Sequence, residues 1–201
     1  MQVESLITSS GLILEGPLLV KPTIFNDSRG YFYESWNQKI WKQKLVENSE
    51  EFKPFVQDNH SSSAFGVLRG LHYQIDPMPQ AKLVRCIVGE IFDVAVDLRI
   101  KSATFGQWVG VKLSAKNFKQ LWIPVGFAHG FLTLSNQAEV LYKTTDFWSK
   151  ESERSIRWDD PEIAIKWPNL SLNDNSVRPS LSDKDGLSPY LKEVSIGDLF
   201  S

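Results

Sequence analysis

The sequence predicts an all-β protein, a sandwich or barrel of short strands. Strand-like runs recur at short intervals from "FKPFVQDNHSSS" (residues 52–63) onward, separated by turn residues. One of them sets Phe92, Val94, Val96 and Leu98 in strict alternation with Asp93, Ala95, Asp97 and Arg99, which is the period of a strand. Helical spacing, by contrast, occupies one short segment near the N-terminus.

Each element has its own signal. "FNDSRGYFYES" (25–35) reads as a strand, a turn at Asp27–Gly30 and a second strand. In "WNQKIWKQKLVEN" (36–48), Trp36, Ile40, Trp41 and Leu45 recur at helical spacing, so a short amphipathic helix is expected. "AKLVRCIVGEIFDVAVDLRI" (81–100) reads as two apolar runs joined near Gly89, a hairpin. "GQWVGVKLS", "KQLWIP", "HGFLTLS" and "AEVLYKTTDFW" follow as strands. The Pro-, Asp- and Ser-rich stretch 158–190 is expected to be loops and a short helix wrapped over the barrel.

Composition narrows the function. A chain of 201 residues suits one domain, taken as 1–201. The net charge of −2 argues against a general nucleic-acid binder, which needs a basic surface. The lone Cys86 cannot form an internal disulfide, and its apolar flanks mark it as a core residue. The N-terminal stretch lacks a basic start followed by a long apolar run, and no stretch approaches the ~18 apolar residues of a membrane span. A cytoplasmic enzyme or binding protein is expected.

Three histidines, His60, His72 and His129, lie in polar or glycine-rich settings within the β region. A lone strand histidine is more often structural than catalytic, but small barrels use unfilled interiors as ligand cavities. Metal binding is one candidate chemistry. "PVGFAHGF" (124–131) resembles the second metal motif of the cupin superfamily. The first such motif needs two histidines one apart, then a glutamate, and here the place reads His72-Tyr73-Gln74. Proton transfer is the other. Inversion at a carbon beside a carbonyl needs a base on one face, an acid on the other and a cation or donor at the enolate oxygen. His72, Tyr142 and Lys82 are of those types, and Arg69 could clamp a phosphate.

Plainer readings stand beside these. Tyr142 could be a barrel-wall aromatic and Lys82 a solvated strand-end charge. Gly66, Gly70 and Gly130 fit close backbone approach. Asp93, Asp97 and Arg99 fit an ion-pair ladder on one strand face. Trp36 and Trp41 fit core or interface, and Trp148 divides evenly between packing and stacking.

Taken in order, "FNDSRGYFYES", "QDNHSSSAFGVLRGLHYQ", "QAKLVRCIVGEIFDVAVDLRIKSATFGQW", "LWIPVGFAHGFLTLS", "AEVLYKTTDFW", "IRWDDPEIAIKWP" and "LSDKD" resemble the dTDP-4-dehydrorhamnose 3,5-epimerases of nucleotide-sugar metabolism. The resemblance runs from about Phe25 to Asp185. It implies a cupin-type jelly roll (a double-stranded β-helix) with a few short peripheral helices. It implies a homodimer, with N-terminal strands shared across it, and no metal or organic cofactor. It implies His72 as the base at C3 and C5, Tyr142 as the acid, Asp185 as the partner of His72, and Lys82 at the enolate oxygen. Arg69 and His129 would lie against the sugar and its phosphates. Arg29, Glu34, Gln57 and Asn59 match positions that hold the nucleotide, and Trp148 the aromatic that stacks on the base. Glu153 and Lys184 match further substrate contacts. His60 is left as structural. The segment "NLSLNDNSVRPS" (169–180) is longer than the family's usual connection, and Asp185 is aligned across it by local motif.

The rival readings are an epimerase of one centre only, and a metal-dependent cupin or sugar-binding barrel. In "GVLRGLHYQ" (66–74), Arg69 and His72 lie three apart, which an ideal strand sends to opposite faces. Both can face one ligand only through a bulge or twist, for which Gly70 is placed.

Overall fold

The computed structural model describes residues 1–172 and 175–201. In chain order the elements are β1 (Gln2–Ile7), β2 (Ile13–Lys21), β3 (Phe25–Asp27), β4 (Gly30–Phe32) and α1 (Gln38–Glu47). The central strands are β5 (Gln57–Ala64), β6 (Leu68–Gln74), β7 (Lys82–Val88), β8 (Glu90–Asp97) and β9 (Trp108–Ser114). They continue with β10 (Gln120–Ile123), β11 (Phe127–Thr133), β12 (Gln137–Thr144) and β13 (Glu153–Ser155). The C-terminal part holds β14 (Leu170–Leu172), β15 (Asn175–Val177), α2 (Asp183–Gly186) and two single 3₁₀ turns.

Two antiparallel sheets make the body, a cupin-type jelly roll. One has the order β1-β2-β10-β7-β12-β5 and the other β13-β6-β11-β8-β9. Their inner faces meet over Leu14, Val84, Ile91, Leu113, Leu121 and Val140, all at most 1% exposed. Cys86 is buried in the same cluster. Such full burial of branched side chains is worth about 1.5–3 kcal/mol each and fixes the spacing of the sheets.

The helix forms where its spacing predicted. Asn37 caps it, its side-chain oxygen accepting from the backbone N–H of Lys39 and Ile40. Its apolar face sets Trp41 and Leu45 on the outer face of the larger sheet, against Leu18, Val20, Leu83 and Trp122. Trp41 and Trp122 meet edge to face with ring centroids 5.6 Å apart.

That cover accounts for one correction. The stretch around Gly89 is not a hairpin, because β7 pairs with β10 and β12 while β8 pairs with β11 and β9. The chain crosses between sheets at Gly89, which has φ +75°. A Cβ there would lie 2.1 Å from the Gln137 carbonyl oxygen, so the corner needs glycine. The apolar run in β7 arises from burial on both faces, not from pairing with its sequence neighbour.

The expected bulge in β6 is present. His129 pairs with His72 and Phe131 with Arg69, so two steps on β11 oppose three on β6. Gly70 sits in the bulge at φ +123°, and a Cβ on it would lie 2.6 Å from Gly130 Cα. A Cβ on Gly130 would lie 2.8 Å from the Arg69 carbonyl oxygen. These two glycines let the strand backbones approach, and both Arg69 and His72 come to line the same cavity. The segment 169–180, expected to be loop, contains the β14–β15 hairpin. Residues 173 and 174 of that segment lie outside the described residues.

Candidate active site

The cavity has a volume of about 450 Å³ and opens between the sheets. Arg69 and His72 of β6, Lys82 of β7, His129 and Phe131 of β11 and Tyr142 of β12 line it. The C-terminal segment closes one side with Ser182, Lys184 and Asp185. A second cavity of about 310 Å³ shares His72, Lys82 and Tyr142 and adds Gln57, Asn59, Trp148 and Glu153.

His72 and Asp185 form the central pair, with Nε2 and Oδ1 2.6 Å apart. Ser182 caps α2 by accepting from the Asp185 N–H, which fixes the carboxylate at the first turn. Asp185 is 3% exposed. Burial works to raise its carboxyl pKa, but the hydrogen bond and charge of His72, with bonds from Ser182 and the Gly70 N–H, hold it below the usual value. An ionised carboxylate only accepts, so the ring nitrogen facing it carries a proton, and in the neutral ring the other nitrogen holds the lone pair. The Gly70 bulge thus both turns His72 inward and supplies an N–H to its partner.

Lys82 is buried, and its Nζ donates to the His72 carbonyl oxygen at 3.3 Å. Burial lowers its pKa to about 8, against opposing pulls from Asp93 and Glu153. It is not the solvated strand-end charge of the plain reading. Tyr142 packs against the core between the sheets and also faces the cavity. Its pKa is raised, chiefly by burial, so the phenol keeps its proton near neutral pH.

His129 stands beside His72 in register and gives its Nε2 to Asp93 Oδ1 at 2.7 Å. Burial lowers its pKa, in spite of Asp93, with Lys82 and His72 adding to the fall. Asp93 is therefore the partner of a site histidine and not a rung of an ion-pair ladder. Asp97 and Arg99 do pair, at 2.8 Å, away from the cavity. Alternation pointed to a charged strand face. Asp93 has no cation opposite it, its neighbours across the strands being Val111 and Phe131, and that pairing is visible only in the fold.

The other expected contacts divide. Arg69 donates through Nε to Ser63 Oγ at 3.0 Å and through Nη2 to the Ser62 carbonyl oxygen at 3.3 Å. Lys184 pairs with Glu153. The Glu153 carboxyl is held low: burial pushes it up, and Lys184, His72 and the Trp148 indole outweigh that. Gln57 joins this corner, accepting from the Trp148 backbone N–H at 3.1 Å and donating to Asn59 Oδ1 at 2.9 Å. Trp148 is exposed and lines the second cavity instead of packing in the core. Arg29 and Glu34 are not brought to either of these cavities. Arg29 extends into solvent from the β3–β4 turn, paired with Asp27 at 2.7 Å, and Glu34 accepts from Asn37. His60 lies on the outer sheet face, 3.1 Å from Glu139. Gln74 bonds the backbone of Met78, Phe147 and Ser149. Among the described residues no group of three His, Cys, Asp or Glu side chains is placed to hold a metal ion.

The cavity brings a histidine–carboxylate pair, a buried lysine and a tyrosine together, and the chain is an isomerase of the cupin-fold epimerase class. The family model described as dTDP-4-dehydrorhamnose 3,5-epimerase matches residues 12–193, and the chain belongs to that family. It is 56% identical over 168 residues to the dTDP-4-dehydrorhamnose 3,5-epimerase of Shigella flexneri, covering 84% of this chain and 87% of the relative. It is similar in structure to the dTDP-6-deoxy-D-glucose-3,5-epimerase of Legionella pneumophila solved with dTDP-4-keto-L-rhamnose. The TM-score is 0.87 at 44% identity, over 99% of this chain and 98% of that one. A 3'-monoepimerase from Streptomyces bikiniensis in complex with dTDP is also similar. Its TM-score is 0.82 at 31% identity, over 93% of this chain and 89% of that one.

Proposed function

We propose that this chain inverts C3 and C5 of dTDP-4-dehydro-6-deoxy-D-glucose to give dTDP-4-dehydro-L-rhamnose. The observation that carries the mechanism is the 2.6 Å His72–Asp185 pair, set beside a buried lysine and a protonated tyrosine in one cavity. Both carbons flank the C4 ketone, which acidifies their protons. The free nitrogen of His72 takes the proton, and the C–H electron pair moves into the enolate with its charge on the C4 oxygen. The Lys82 ammonium holds that charge in a site where burial makes the interaction strong. Tyr142 returns a proton to the opposite face, and the carbonyl re-forms. The tyrosinate is reprotonated and His72 gives up its proton before the second centre reacts.

Asp185 holds the His72 ring and the imidazolium that forms. His129, Arg69, Gln57, Asn59, Trp148, Glu153 and Lys184 receive the sugar, diphosphate and base. We read residues 1–201 as one domain acting as a homodimer in the cytoplasm. The dimer is supported by Arg29 and Glu34, which have no role in their own cavity, and by the exposed aromatics Phe25, Tyr31 and Phe32 around them. The single buried thiol suits a reducing compartment.

The test is product analysis. The purified protein is incubated with dTDP-4-dehydro-6-deoxyglucose and the sugar configuration read by NMR. Inversion at both centres supports the reading. Inversion at C3 alone would place the chain with the monoepimerases, and an unchanged sugar would sink the proposal.

A further inference from the structure

We infer that Ser61 is a substrate-positioning residue, its hydroxyl donating to an oxygen of the sugar-side phosphate next to Arg69. This rests on the nucleotide-sugar reading above. Ser61 lies on β5, whose burial alternates so that Gln57, Asn59, Ser61 and Ser63 share the inner face. It lines the 450 Å³ cavity. Its Oγ is buried and finds no hydrogen-bond partner among the described residues.

The setting makes that hydroxyl informative. The ionic side chains around it are already engaged. His72 holds Asp185, His129 holds Asp93, Lys184 holds Glu153, and the Lys82 ammonium bonds the His72 carbonyl. The adjacent Ser63 is used by Arg69. A buried hydroxyl without a partner is costly, and such groups in native proteins are matched by a ligand or water.

Arg69 indicates which ligand atom. Its Nε and Nη2 are fixed by Ser63 and Ser62, the residues that follow Ser61 in the strand. That leaves Nη1 of a permanent cation, on a residue that lines the cavity, able to donate to a phosphate oxygen. Arg69 carries its charge on the β5 side of the cavity, so a phosphate it holds lies close to Ser61. Ser61 is a further donor on the strand that anchors Arg69.

The experiment compares dTDP binding by calorimetry and steady-state kinetics for wild type, Ser61→Ala and Ser61→Thr. Loss of a hydrogen bond to a charged group weakens binding roughly 10- to 100-fold. Ser61→Ala is expected to raise the dTDP Kd and the substrate KM by that factor, with kcat changed less than about threefold. Ser61→Thr keeps the hydroxyl and is expected to recover most of the affinity. The melting temperature of Ser61→Ala without ligand is expected to hold or rise, since it removes an unpaired buried group. Unchanged dTDP affinity in Ser61→Ala would overturn the inference, even if KM for the sugar substrate rose. Wild type that fails to bind dTDP at all would instead sink the proposed function, and this inference with it.

Discussion

At the scale of single residues, the proposed mechanism makes Lys82 and Asp185 set the reaction's pH range and its base. Lys82 must be an ammonium to hold the enolate, and burial brings its pKa to about 8. A cation with a lowered pKa loses its proton earlier as pH rises. The account therefore predicts that kcat/KM falls above pH about 8, and that Lys82→Arg moves this alkaline limb upward because a guanidinium stays charged. A pH profile of both proteins checks it. Asp185→Asn leaves the ring of His72 without its carboxylate. It is expected to lower kcat by about 10²–10⁴-fold with a normally folded protein, measured as initial rate alongside circular dichroism. Much of the cavity's lining was legible in the residues, because His72, Lys82 and Tyr142 are few and distinctive types and the fold brings them together. The role of Asp93 was not. A strand face of alternating charges has the same pattern whether its carboxylates pair with neighbours or with a histidine one strand away, and only the fold tells them apart.

At the scale of elements, the β6 bulge does the positioning. Spacing alone stated the problem, since Arg69 and His72 should diverge, and glycine at position 70 marked the answer. The prediction is direct: Gly70→Ala puts a Cβ 2.6 Å from Gly130 Cα at a φ of +123°. It should cost on the order of 2–4 kcal/mol in urea unfolding and reduce activity more than the stability loss explains, because His72 turns with the strand. The chain's reading at Gly89 failed for the opposite reason. Two apolar runs around a glycine look alike as a hairpin or as a crossing between sheets. What decides is the partner of each edge, and those partners, β10, β12, β9 and β11, lie later in the chain. The helix at Gln38–Glu47 was legible because its apolar spacing is a local signal.

At the scale of the whole molecule, the proposed dimer makes each cavity depend on two chains. Arg29 sits on an exposed hairpin tip, its side chain 88% exposed and far from any need of its own cavity. If it serves the partner's nucleotide, His72→Asn and Arg29→Ala damage different chains of the same site. Mixing the two weakly active variants at equal amounts and allowing exchange should restore about a quarter of wild-type activity, since half the dimers are mixed and each has one intact site. Activity that stays at the sum of the two variants would place Arg29 in its own chain's business or in none.

The central claim is that His72 removes protons from both carbons beside the ketone. Its most direct test is exchange in heavy water. The protein is incubated with dTDP-4-dehydro-6-deoxyglucose in D2O and the C3 and C5 protons are followed by NMR, for wild type and His72→Asn. The account predicts loss of both signals with wild type and a slowing of at least about 10²-fold with the variant. Full-rate exchange in a folded His72→Asn protein would contradict it.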